Sequence, residues 1–424
     1  MNLKKFKEIK LPHIFFAAMA FAASQRFYLS DIYAHTCFMF LVLALIQWRN
    51  NELRNTLLIF ALYSSVDINF GFYNGTPSIE RYVIYFFCIA SLIENSVLSV
   101  SKIAVALFFA IFYVLLALIN IDNFVIEAFY SDVKIILAIL FLFSFKNKSY
   151  TVDYELLIFL MLFYFTGEIV NYLFFFNYSE FAYLSLHTTK PFLCIFALYL
   201  FYKEKWFYVI PVFIVSCIII LAYGQRMIFL FFLLSFLFLI KNKKIFLCFL
   251  FIGMMSFLFI QNFIDINFSS SSTFRASTML SIFNEGLNEE FFKNLDVVRY
   301  YEHAVVLGQN IINLLIGNGI GVGYFDSGNY FSWIGVDDFG FSEKEIDTKI
   351  FWGFHDFWTV YSYRFGLIFI IFSYLYICKG VFSTKKSDKF IGAILFILLN
   401  CSFYTPAGII LILMIYFSKN HEVN

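Results

Sequence analysis

This chain is short of charge. Only 14% of its 424 residues are Asp, Glu, Lys or Arg, and 61% are hydrophobic. Soluble domains carry roughly a quarter charged residues and about half apolar. The few charges nearly cancel, for a net +1, so charge names neither a nucleic-acid nor an acidic partner. The seven cysteines are scattered (Cys37, Cys88, Cys194, Cys217, Cys248, Cys378, Cys401) with no C-x-x-C pair or Cys/His cluster. Neither a disulfide frame nor a zinc site is indicated. The basic stretch from Met1 to Lys10 is followed by an apolar run but by no small-residue cleavage site. It reads as the cytoplasmic flank of a retained first helix. No internal repeat stands out, and the one short polar tract is Ser269 to Ser272.

What is present is apolar sequence in runs near the ~20 residues that cross a hydrocarbon core, at a mean hydropathy of +0.79. The 63 phenylalanines read as lipid-compatible filler. Lys and Arg clusters mark the cytoplasmic side of such proteins, and here they fall at Lys4 to Lys10, Arg49 to Arg54, Lys146 to Lys148, Lys203 to Lys205, Lys241 to Lys244 and Lys379 to Lys389. The turns between them, including Ile121 to Asp132 and Tyr223 to Arg226, are then outer loops. The expectation is an all-α polytopic integral membrane protein of about 12–14 transmembrane helices with both termini cytoplasmic. Phe390 to Phe417 is expected as two short helices broken at Tyr404-Thr405-Pro406.

One segment interrupts the pattern. Residues 263–354 carry twelve acidic and five basic residues, a net of −7, and charge puts this segment outside. The chain therefore divides into a bundle at 1–262, a large helical outer loop at 263–354, and C-terminal helices at 355–424. Loops set on a rigid scaffold are where function concentrates.

Several residues in this layout could carry chemistry. Tyr223-Gly224-Gln225-Arg226 is a tight outer turn, where an arginine either snorkels to headgroups or meets an anion. Asp296 to Ile316 has helical apolar spacing, with Asp296 as N-cap and Gly317 as C-cap. Arg299 and His303, four apart, share a face of it. They form a surface ion-pair motif with Glu302, or else offer an arginine fork to a phosphate. Gly317-Asn-Gly319-Ile-Gly321-Val-Gly323 follows a helix rather than a strand, so it is no dinucleotide fingerprint; such glycines permit a tight turn or a close approach. His355 opens the next span. It is either an interfacial cap or, with a pKa near neutrality, a general base. Asp356 is a candidate N-cap. Arg364, two turns deeper, is expected to face protein or a cavity, and Glu168 with Asn171 is expected to line that cavity.

An outer-turn arginine, a long outer loop with an arginine-bearing helix, a Gly-x-Gly-x-Gly turn, then His355 and Phe365-Gly366-Leu367-Ile368 resembles the O-antigen polymerase and O-antigen ligase superfamily. The resemblance covers about a third of the chain, Tyr223 to Ile368. It implies a GT-C-like, metal-independent glycosyltransferase of the bacterial inner membrane, without cofactor, its active site facing the periplasm. Its partners would be undecaprenyl-pyrophosphate-linked oligosaccharides as donor and acceptor, membrane lipids and a chain-length regulator. On this resemblance Arg226 and Arg299 would hold the donor pyrophosphate and His355 would be the base. Arg275, His303, Arg364, Asp356, Tyr300 and Glu168 form a second tier. The turn reads Gln225-Arg226 where Ser-Arg is common, and Asp356 stands where Asn often follows the histidine; an aspartate there could raise the basicity of the histidine. The implied function is repeat-unit polymerisation for O-antigen or capsule. Ligation to lipid A-core is the near alternative, and a lipid-linked oligosaccharide flippase the remote one, since that role favours repeated halves and broken midplane helices.

Overall fold

In an apolar surrounding each backbone N–H and C=O must be satisfied inside the protein, which favours helix. The computed structural model follows that rule. It describes residues 11–24, 36–65, 79–94, 99–144, 150–174, 189–222, 226–240, 251–252, 297–332, 341–354, 357–402 and 406–419, most of them helical. The first ten helices are α1 (Leu11–Ser24), α2 (Thr36–Ile46), α3 (Asn51–Ser65), α4 (Ile79–Glu94), α5 (Val100–Ile119), α6 (Ile126–Ser144), α7 (Tyr154–Phe174), α8 (Thr189–Tyr202), α9 (Trp206–Ala222) and α10 (Arg226–Leu239). In the acidic loop lie α11 (Val297–Leu307), α12 (Ile311–Ile316) and α13 (Glu343–Thr348). After it come α14 (Phe357–Ile377), α15 (Lys386–Ser402) and α16 (Pro406–Phe417). The last two match the expected break before Pro406. Two small strand pairs accompany the helices. β1 (Tyr150–Thr151) runs parallel to β4 (Ser418–Lys419), and β2 (Tyr324–Phe325) antiparallel to β3 (Ile350–Phe351).

α3 is the centre of the bundle. Leu57 through Tyr63 are all buried on it, an apolar run with no face left to solvent, and Arg54, Asn55 and Thr56 are buried beside that run. It packs against α2, α4, α7 and α16. α5 is the opposite case. Leu107, Phe108, Ile111, Leu115, Leu118 and Ile119 on it are exposed.

Two stretches are long and apolar enough to cross a membrane, Val100–Ile119 and Trp358–Phe382. The shorter apolar helical stretches whose side chains are described run to 10–17 residues, among them Tyr154–Gly167 of α7. The expected 12–14 spans draw also on segments outside the described residues.

The Trp358–Phe382 stretch is not one straight helix, which corrects the expectation of a single span opening at His355. Gly366 in α14 has φ 77° and ψ 160°, a conformation open to glycine because it lacks a Cβ. The chain folds back there, so that the Trp358 and Tyr374 rings meet with centroids 5.2 Å apart.

The charged turns sort by end. At one end Arg54 pairs with Glu94 (2.9 Å), Lys203 with Glu155 (3.0 Å) and Lys386 with Glu204 (2.7 Å), beside the β1–β4 pair. α5 and α6 run from this end, where the Ser99 N–H donates to the Ser144 carbonyl at 2.7 Å, to the other. There Lys344 of the loop pairs with Glu127 at 2.6 Å. The turn between α5 and α6 is also shorter than expected. Helix resumes at Ile126, so Asp132 lies inside α6 and is buried rather than in a loop.

Candidate functional site

The described part of the acidic loop is fastened to the bundle by its glycine turn. The expected single helix from Asp296 to Ile316 is two. α11 ends at Leu307, and α12 starts after Asn310, whose side chain accepts from the Asn313 N–H at 2.9 Å as an N-cap. Gly308 and a capping asparagine outweigh the apolar periodicity that runs through them. Asp296 lies outside the described residues. Gly317 caps α12 as expected, at φ 91°.

The glycines serve contact with the bundle. Gly317, Gly319 and Gly321 all have positive φ. A Cβ on Gly317 would run into the Arg364 carbonyl, one on Gly319 into the backbone of Ala117, and one on Gly366 into the Leu315 carbonyl. The turn therefore touches α5 and α14 backbone to backbone. It also bridges Phe124 through Val322.

The fold-back at Gly366 removes the helical partners of the preceding carbonyls, and the loop and α5 replace them. The Tyr363 carbonyl accepts from the Asn318 N–H (3.1 Å) and Nδ2 (2.8 Å), the Arg364 carbonyl from the Gly319 N–H (2.9 Å), and the Phe365 carbonyl from the Tyr113 hydroxyl (2.7 Å). Asn318 is the hub. Its Nδ2 also donates to Gln309 at 2.6 Å, its Oδ1 accepts from Asn313 at 2.9 Å, and its carbonyl accepts from Asn120 at 2.9 Å. Such buried bonds contribute about 1 kcal/mol each, and more is lost if one partner is left unsatisfied.

Arg364 faces protein, as expected, in a buried ion pair. Its NH1 donates to Asp132 Oδ1 at 2.6 Å, with the side chains 3% and 0% exposed. Its NH2 donates to the Trp352 carbonyl at 2.6 Å, while Asp132 Oδ2 accepts from the Gly321 N–H at 2.7 Å. Glu345, in the capping box of α13, holds the other edge of the same segment. Its Oε1 accepts from the N–H groups of Trp352 (2.8 Å) and Gly353 (2.7 Å).

The other expected site residues divide into two groups. Arg299, Tyr300 and His303 stand on α11, which packs against α14. His303 is exposed and turned onto its own helix: Nδ1 lies 2.6 Å from the Arg299 carbonyl. A carbonyl only accepts, so that nitrogen carries the proton. Glu302, expected on the surface beside Arg299, is buried. Arg226 is the first residue of α10, which packs against α15, α8 and α9. The side chains of Arg226 and Glu168, and Arg275, His355 and Asp356 altogether, lie outside the described residues. The structure thus brings together α11, the glycine turn and α14. Asp132, Asn318 and Glu345 had not been singled out. A carboxylate early in an apolar helix is the one signal that could have flagged Asp132.

Comparison with family models, curated proteins and solved structures finds no match to this chain.

Proposed function

We propose that the chain is a GT-C-like polymerase of the bacterial inner membrane that joins lipid-linked repeat units of an O-antigen or capsule on the periplasmic face. The membrane part of this reading is supported by α5, whose exposed side chains are almost all apolar over a spanning length; hydrocarbon covers such a surface and water does not. The orientation is supported by the gathering of basic turns at one end and of the acidic loop at the other.

One observation carries the catalytic part. The helix bearing Arg299 and the glycine turn both pack on α14, the helix into which the His355 segment leads. In the proposed reaction the acceptor sugar hydroxyl attacks the anomeric carbon of the donor, and His355 takes its proton. The bond between that carbon and the pyrophosphate oxygen breaks, and the charge left on the pyrophosphate meets Arg299 and Arg226. The reading invokes no metal and no cofactor.

Deleting the gene in its host tests this. A polymerase predicts loss of the chain-length ladder, with single repeat units still transferred to the final acceptor. Polymer that persists on the lipid carrier but is no longer transferred would identify the ligase instead. An unchanged ladder would end both readings.

A further inference from the structure

We infer that α12 is an interfacial helix, one that sets its apolar face into the outer leaflet of the membrane and so ties the acidic loop to the bilayer. The inference rests on α5 spanning the membrane. Five of the six residues of α12 are Ile or Leu, in a loop that is otherwise acidic. Ile311 and Ile312 are 65% and 64% exposed, Leu307 at the end of α11 is 66% exposed, and Leu315 is exposed as well. At 3.6 residues per turn, Ile311, Ile312 and Leu315 fall within one arc of about 100°. Asn313, on the opposite side, donates to the Asn318 side chain at 2.9 Å. Large apolar side chains gathered and exposed on one face mark an interaction surface.

The height of α12 in the fold says what covers that face. α5 has 20 residues, a length of about 30 Å, which matches the thickness of a hydrocarbon core. Its exposed apolar surface continues to its last residue, Ile119. The turn that leaves α12 is fastened to this last stretch of α5. A Cβ on Gly319 would meet the Ala117 backbone, and Asn120 Nδ2 donates to the Asn318 carbonyl at 2.9 Å. α12 also packs on α14 where Gly366 folds back, and the arm of α14 that starts there exposes Ile368, Ile371 and Phe372. α12 therefore stands at the level where two long apolar surfaces reach the outer boundary. Interfacial helices bury their apolar face about 5–10 Å into that boundary.

By itself the patch has four residues, against the ~20–30 a side of a stable protein interface. Its occupant is one that also covers α5, which is hydrocarbon. The consequence is a fixed height for the loop. α11 ends only three residues before α12 begins, so the helix bearing Arg299 is held near the headgroups, the level at which the phosphates of a lipid-linked molecule lie.

The test is photocrosslinking of the full-length protein in vesicles of dioleoyl-phosphatidylethanolamine and dioleoyl-phosphatidylglycerol. The photoreactive residue p-benzoylphenylalanine is placed at Ile312, at Leu115 on the exposed face of α5, and at Asp347, an exposed carboxylate on α13. Each protein is checked for a monodisperse folded state, with Ile311 taking the place of Ile312 if that variant fails. Mass spectrometry of the labelled peptides then shows what each position touches. The inference expects phospholipid adducts at Ile312 at a yield close to that at Leu115, and their loss at Asp347. Cross-links from Ile312 to another copy or to another part of its own chain, or no lipid adduct there while Leu115 gives one, overturn it and leave the reading of α5 standing. So does an equal lipid yield at Asp347, because the label would then be reporting the vesicle surface at large. If Leu115 gives no lipid adduct, the membrane reading of α5 falls and takes this inference with it.

Discussion

Trp358 and Tyr374 lie at equal distances in sequence on either side of Gly366, yet their rings are 5.2 Å apart. In one continuous helix they would be separated by roughly 24 Å. The segment after His355 therefore doubles back before its long apolar arm begins. Its freed carbonyls are taken by Asn318, Gly319 and Tyr113. Irregular backbone within a helix bundle persists only where neighbouring groups satisfy it in this way.

Gly366→Ala is expected to be among the most damaging single changes outside the proposed catalytic residues. The added Cβ would meet the Leu315 carbonyl at a positive φ, so both sterics and backbone oppose it. A loss above about 2 kcal/mol is expected, visible as a lowered melting temperature of the detergent-solubilised protein. An alanine variant that melts with wild type would contradict the fold-back.

Asp132→Ala would leave Arg364 buried without a counter-charge, at a cost of about 3–5 kcal/mol. The double change Asp132→Leu/Arg364→Met should recover only part of this. It removes the stranded charge but leaves the Gly321 N–H and the Trp352 carbonyl unsatisfied, at about 1–3 kcal/mol each. Thermal unfolding of the two variants and wild type gives the order directly.

At the other end, Arg54 and Glu94 should respond unequally. Arg54 is 0% exposed and Glu94 48% exposed. The Arg54 guanidinium also donates to Trp48 and Asn55 and lies 4.5 Å over the Trp48 ring; its NH2 has no hydrogen-bond partner among the described residues. Glu94→Ala removes the carboxylate partner of a buried cation and is expected to cost about 1–3 kcal/mol. Arg54→Met leaves a glutamate that water can reach and is expected to cost less. The reverse order in thermal unfolding would refute the pairing.

The Glu204 pair should confer a measurable pH dependence. The hydrogen bond from Lys386, together with its charge, holds the Glu204 carboxyl below its ordinary value. A depressed folded-state pKa contributes stability that is fully present above the unfolded value of about 4.3 and is lost as pH falls through the folded one. The melting difference between wild type and Lys386→Met should close over that acid window. A difference that persists below it would rule the pair out as its source.

Local features of this chain were legible in its sequence, and non-local ones were not. Gly317 as a cap, the break before Pro406 and the inward-facing Arg364 follow from near-neighbour chemistry and from the cost of a charge in an apolar span. The end of α11 was missed because apolar spacing continues through Gly308 and Asn310, and the cap there competes with periodicity. The fold-back at Gly366 has no local signal, since its positive φ goes with contact with Leu315, far away in the chain. Sequence alone puts Asp132 in the Ile121 to Asp132 turn, because nothing in it joins Asp132 to Arg364. Of the candidate site, the Arg299 helix and its approach to α14 are now described, while the side chain of Arg226 and all of His355 remain expectations from sequence.

The most direct test of the central claim is the polysaccharide ladder of a deletion strain complemented with Arg226→Ala, Arg299→Ala or His355→Ala, at matched protein levels in the membrane. The account predicts that each variant leaves only single repeat units and no long chains. Wild-type ladders from all three would contradict it.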